Sequence, residues 1–125
     1  MTRKLALLLE DEALIALNIE STLESVGYEV VSFATCAEAL NWLHLNSPSV
    51  AILDLHLRDG PSNAVSLLLT ERRIPFVVHS GTSGSAASAP DFSAGTWLNK
   101  PSSGHDMLAS ISNALGATVP RMHEL

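Results

Sequence analysis

The chain has 125 residues, a hydrophobic share of 46%, and 13 acidic against 7 basic side chains for a net charge of -6. That size fits one packed domain, and the acidic balance, with no basic cluster larger than a pair such as Arg72-Arg73, argues against a nucleic-acid-binding surface. A single cysteine, Cys36, excludes an internal disulfide and fits a reducing cytoplasm, and no apolar run approaches the roughly 18 residues that span a bilayer.

Short apolar runs alternate with longer amphipathic ones. Residues 4–9 ("KLALLL") read as a first strand rather than a signal peptide, because Glu10 and Asp11 cut the run short. Ile15, Ile19, Leu23 and Val26 then recur at helical spacing, and Gly27 follows as a stop. Residues 29–33 form a second strand. Thr35 and Glu38 make a T-x-x-E capping box that opens a helix turning Ala39, Leu40 and Leu43 inward. Residues 50–54 ("VAILD") form a third strand that runs straight into a carboxylate. Pro61 is placed to start a third helix, with Val65, Leu68 and Leu69 on its core face and Arg72, Arg73 and Pro75 at its end. Residues 76–79 form a fourth strand.

The stretch 81–95, "GTSGSAASAPDFSAG", holds Phe92 as its one large apolar side chain and predicts a loop or a frayed, very short helix. Residues 96–98 form a fifth strand, and a last helix carries Leu108, Ile111 and Leu115 and stops at Gly116. Runs of four to six Leu, Val and Ile residues with little polar alternation suit strands buried on both faces of a parallel sheet. Strict alternation with helices implies right-handed crossovers and an α/β, doubly wound sheet of five strands. The expected domain is the whole chain, 1–125, with a core at about 4–115 and a short tail from 116.

In such a sheet the functional crevice lies outside the carboxyl ends of the strands. There the sequence places Glu10, Asp11 and Glu12 after the first strand, Asp54 after the third, His79 and Ser80 at the fourth, and Lys100-Pro101 after the fifth. Carboxylates brought within a few ångströms repel one another. A hard dication resolves the conflict, and Mg²⁺ takes one or two carboxylates, a carbonyl and several waters. With Lys100 adding positive charge, the set suits phosphoryl transfer, and a carboxylate fixed at a strand end can serve as a nucleophile that forms an aspartyl-phosphate. The residues alone leave the choice among such chemistries open.

Taken in order, "LLLEDE", "VAILDL", "VVHSG" and "WLNKP" resemble the response-regulator receiver domain of two-component signalling, over roughly residues 4 to 115. The resemblance implies a flavodoxin-like strand order 2-1-3-4-5, here with a degenerate fourth helix. It implies that Asp54 accepts a phosphoryl group from a sensor histidine kinase or a histidine phosphotransfer protein. Asp11 and Asp54 would bind Mg²⁺ directly, Glu10 through a water, and the backbone carbonyl of His56 would complete the protein's ligands. Lys100 would pair with the phosphoryl oxygens beside a cis peptide to Pro101. Ser80 would bond the phosphoryl group and move with its loop, and Trp97 stands where the family carries a rotating aromatic switch. A downstream protein target is implied, with no nucleic acid and no membrane among the partners.

Two departures stand out. The loop after Asp54 has Arg58 where many receivers carry proline, and the segment 81–95 is short and poor in apolar residues. The usual homodimer surface is therefore in doubt, and the partner surface is expected to be atypical or mobile. With ten residues after Leu115, a stand-alone receiver is expected, against one excised from a hybrid kinase. An aspartate-nucleophile phosphatase of the haloacid dehalogenase type competes, but its second aspartate is replaced by His56. So does a pseudo-receiver that binds partners without taking phosphate. A cobalamin ligand at His56 is disfavoured by the spacing to Gly60, and His44, His79, His105 and His123 show no metal-ligand pairing.

Overall fold

The computed structural model describes residues 4–81 and 89–118. The elements run β1 (Leu5–Leu9), α1 (Ala13–Glu24), β2 (Glu29–Phe33), α2 (Cys36–Leu43), β3 (Val50–Leu53), β4 (His56–Leu57), β5 (Gly60–Pro61), α3 (Asn63–Glu71), β6 (Phe76–Ser80), a 3₁₀ turn (Pro90–Phe92), β7 (Thr96–Asn99) and α4 (Gly104–Thr118). Five strands form one sheet in the order β2-β1-β3-β6-β7, every pairing parallel. Numbered within the sheet, this is the expected 2-1-3-4-5 order.

Strand alternation divides the core in two. Leu7, Leu9, Ala51, Leu53, Phe76 and Val78 face α2, α3 and the 3₁₀ turn. Ala6, Leu8, Val50, Ile52 and Val77 face α1 and α4. All of these strand residues are at most 1% exposed, which is why the strands read as continuous apolar runs. Each buried leucine contributes about 1.5–3 kcal/mol relative to exposure, so the strand ends are stiff platforms.

Helix termini follow local chemistry. Gly27 adopts φ +97°, and the N–H groups of Gly27 and Tyr28 bond the carbonyls of Glu24 and Leu23, closing α1. Thr35 Oγ1 accepts from the Glu38 N–H at 3.3 Å, the cap half of the expected box, while its hydroxyl donates to Glu38 Oε1 at 2.9 Å. Gly95 allows a close approach: a Cβ there would stand 2.4 Å from the Phe76 ring.

Several expectations are corrected. Val26 lies beyond the C-cap Ser25 and is 41% exposed, so the core face of α1 ends at Leu23. Pro61 does not start a helix; it belongs to a two-residue strand paired antiparallel with His56–Leu57, and α3 begins at Asn63. Gly116 does not stop the last helix, which continues to Thr118, because glycine tolerates helical torsions and nothing forces a left-handed turn there. In the segment 81–95 a 3₁₀ turn at Pro90–Phe92 buries Phe92 against α3, and residues 82–88 lie outside the described residues. No helix among the described residues is long and apolar enough to cross a membrane.

Candidate functional site

The carboxyl ends of β1, β3, β6 and β7 meet on one rim. Glu10 directly follows β1, and its N–H extends the ladder by bonding the Phe33 carbonyl at 3.1 Å. Its side chain is buried, with Oε2 accepting from the Glu12 N–H at 3.0 Å. Asp54 directly follows β3, and its N–H bonds the Leu9 carbonyl at 3.0 Å. A carboxylate oxygen from each of Glu10, Asp11 and Asp54 lies within 4.8 Å of the other two. The clustering expected from the sequence is present.

Lys100 arrives from the far edge of the sheet. Its backbone N–H bonds the Ser80 carbonyl at 2.8 Å, and the peptide to Pro101 is cis. Its Nζ lies 2.9 Å from Glu10 Oε1 and 2.8 Å from Asp54 Oδ2. Burial pulls the pKa of this ammonium down, but the bonds to Asp54 and Glu10 outweigh it and the net displacement is upward. The lysine is thus a fixed cation bridging two of the three acids, leaving two negative charges in the cluster uncompensated by it.

The other predicted residues fall at varying positions. Ser80 ends β6, in register with Asn99, and is 2% exposed. Trp97 on β7 pairs with Val78 on β6 and packs half-buried on the α2–α3 side of the sheet, its Nε1 buried without an acceptor. His56 lies in β4, one residue beyond Leu55, and its side chain points to solvent.

Several neighbours of the cluster take on contacts that the sequence did not reveal. Arg58 Nη2 reaches the Asp11 carbonyl at 3.4 Å, so the residue in the expected proline position extends toward the acidic cluster. The Asp59 carboxylate accepts from the N–H groups of Cys36 and Ala37 at 2.9 and 3.1 Å, and these bonds hold its pKa down. The Cys36 thiol is pushed up to about 11 by burial and by Asp59, which makes it a poor nucleophile at neutral pH. His79 is 4% exposed, with Nε2 2.9 Å from Ser102 Oγ and Nδ1 without a partner. Burial and the Lys100 charge lower its pKa to about 4 against the opposing pull of Asp54, so it is neutral at pH 7. A cleft of about 340 Å³ lined by Lys100 and His79 runs between α1 and α4 past Ile15, Ile19 and Met107.

The sequence profile of the response regulator receiver domain matches residues 6–112. The chain belongs to that family. The transcriptional regulatory protein PdtaR of Mycobacterium tuberculosis is 34% identical over 114 residues, covering 87% of this chain. The receiver spans about half of that relative's length, 55%. Among solved structures, a response regulator receiver domain protein from Methanospirillum hungatei superposes with a TM-score of 0.81 at 22% identity, over 94% of this chain and 97% of the other. The receiver domain of a signal transduction histidine kinase from Syntrophus aciditrophicus gives 0.79 at 21% identity, over 98% and 96%. At those identities the structural likenesses establish the receiver fold; the family profile establishes membership.

Proposed function

We propose that this receiver takes a phosphoryl group onto Asp54 from the phosphohistidine of a sensor kinase or phosphotransfer protein. The observation that carries the proposal is the Lys100 bridge: one ammonium within 2.9 Å of both Glu10 and Asp54, in a trio of acids at the rim of a parallel sheet. The donor set fits Mg²⁺. All three side chains offer hard oxygens, and their spread within 4.8 Å leaves room for water between ligands that sit about 2.0–2.1 Å from such an ion. Asp11 and Asp54 would hold the ion directly, Glu10 through a water and His56 through its carbonyl. When bound, it would offset the negative charge that gathers on the phosphoryl oxygens.

The chain's own residues do the rest. Asp54 Oδ attacks phosphorus in line with the departing imidazole nitrogen; the P–N bond breaks as the Asp54 O–P bond forms, and the histidine leaves carrying the electron pair. Lys100 is already charged and held beside Asp54, so it meets the phosphoryl oxygens during the transfer at little reorganisation cost. Ser80, at the end of β6 and tied through its carbonyl to Lys100, supplies a hydroxyl to the phosphoryl group. Trp97, half-buried with an unpaired indole N–H, is the aromatic that changes rotamer and passes the state to a downstream protein. The chemistry is limited to its own phosphorylation and dephosphorylation, and it takes place in the cytoplasm.

Incubation with Mg²⁺ and acetyl phosphate or phosphoramidate, read by intact mass, tests the proposal. A single phosphoryl adduct that disappears in Asp54→Asn is expected. Repeated turnover of a phosphate ester would instead indicate a phosphatase. Absence of both with partner binding retained would indicate a pseudo-receiver.

A further inference from the structure

Ser62 precedes α3 as its N-cap, where a serine hydroxyl ordinarily accepts an N–H from the first turn. Here the side chain makes no such bond. Ser62 is 0% exposed, and its Oγ lies 2.5 Å from the Asp54 carbonyl oxygen and 3.1 Å from that of Leu55. The Ser62 N–H also donates to the Leu55 carbonyl, at 2.8 Å. The helix forgoes its side-chain cap, and the hydroxyl is spent on the main chain of the phosphoacceptor.

The consequence is geometric. The N–H of Asp54 is held by Leu9 on β1 and its C=O by Ser62, so the peptide units on both sides of its Cα are fixed. Those two units set the base from which the carboxylate projects. The intervening loop has no proline at position 58 to stiffen it. It is held instead by its β4–β5 pairing, by Asp59 on the α2 N-terminus, and by the Arg58 N–H on the Ala34 carbonyl at 3.4 Å. Ser62 closes this loop onto Asp54 and Leu55.

We propose that Ser62 is a positioning residue for phosphoryl transfer. Through the Asp54 carbonyl it aims the carboxylate, and through the Leu55 carbonyl it places the next peptide, the one that leads to His56. The proposal rests on the reading of Asp54 as the phosphoacceptor and adds a residue that never touches the phosphoryl group.

The test compares the full chain with Ser62→Ala, which removes the hydroxyl without adding volume, and with Ser62→Thr, which keeps it. Adduct formation from acetyl phosphate is timed across donor and Mg²⁺ concentrations, well below the melting temperature of each variant. In Ser62→Ala the rate at saturating donor should fall roughly tenfold or more, the donor concentration for half-maximal rate should change little, and more Mg²⁺ should be needed. Ser62→Thr should recover much of the rate. A Ser62→Ala protein that melts earlier but is labelled at the wild-type rate would overturn the proposal and leave a purely structural serine. If Ser62→Ala does not fold, Ser62→Cys, of similar volume and a weaker donor, should show the same rate loss, and a wild-type rate there overturns the proposal equally. A wild-type chain that takes no label removes the phosphoacceptor reading and this inference together, whereas labelling of both chains at one rate removes only the inference.

Discussion

The Lys100 ammonium lies 2.9 Å from Glu10 and 2.8 Å from Asp54, so one cation following β7 bridges the carboxylates that follow β1 and β3 and offsets one of their two charges. Its side chain is 16% exposed and that of Glu10 only 2%, so removing the lysine strips Oε1 of its cation and leaves a buried carboxylate held by the Glu12 N–H at Oε2. Lys100→Ala should therefore lose roughly 1–3 kcal/mol of stability without metal. The upward pKa displacement means that the wild-type contribution is complete at neutral pH and is lost only as pH rises through the folded value, above the ordinary 10.5. Urea unfolding with and without Mg²⁺ checks the point: the deficit should shrink when the dication takes over the neutralisation. A variant as stable as wild type without metal would contradict it.

Magnesium itself should stabilise the folded chain. At ten times its Kd the gain is about 1.4 kcal/mol, provided that the unfolded chain does not bind it. Asp11→Asn removes one of the three clustered acids and should abolish most of that gain, while the metal-free melt stays level or rises as repulsion within the cluster is relieved. Thermal melts titrated with MgCl₂ decide the matter, and equal shifts in both proteins would remove Asp11 from the site.

His79 predicts an acid-side loss of stability. Its folded pKa is about 4 against an ordinary 6.5. The unfolded chain thus binds a proton that the folded chain refuses, and the neutral form's contribution is complete above pH 6.5 and lost progressively toward pH 4. The unfolding free energy of His79→Gln should fall less steeply over that interval than that of wild type. Parallel pH profiles would show that other groups set the slope.

Two glycines should respond in opposite directions to alanine. At Gly95 the new methyl would meet the Phe76 ring at 2.4 Å and Val78 Cγ2 at 3.0 Å, and both side chains are in the core. Overpacking there should cost about 1–3 kcal/mol. At Gly116, inside α4 with nothing within 4 Å, alanine should add about 0.5–1 kcal/mol through helix propensity and reduced unfolded-state entropy. Chemical denaturation of the two variants is sufficient; matching signs would refute the account.

The central strands β1, β3 and β6 and the acidic rim were legible because parallel strands buried on both faces leave unbroken apolar runs. Each of these three runs ends where the candidate site begins, whereas the edge strands β2 and β7 are only partly buried. "VAILD" places Asp54 correctly for that reason, and the Thr35–Glu38 box was readable because its bonds are local. What escaped depended on long-range partners. Ser62 looks like an ordinary helix cap until the fold brings the Asp54 carbonyl to its hydroxyl, and Asp59 gives no hint that its carboxylate caps a helix 23 residues upstream. Pro61 and Gly116 misled because proline also suits a short edge strand and glycine also tolerates a helix, so the residue type alone does not fix the outcome.

The turns at Gly27 (φ +97°) and Arg73 (φ 57°) precede β2 and β6, and so lie on the amino-terminal edge of the sheet. Every acid and base of the candidate site lies on the opposite edge, a full strand length away. An affinity tag, a fluorophore or several extra residues inserted at either turn should therefore leave the chemistry intact, which makes these two points the natural places to attach a reporter or tether the protein to a surface.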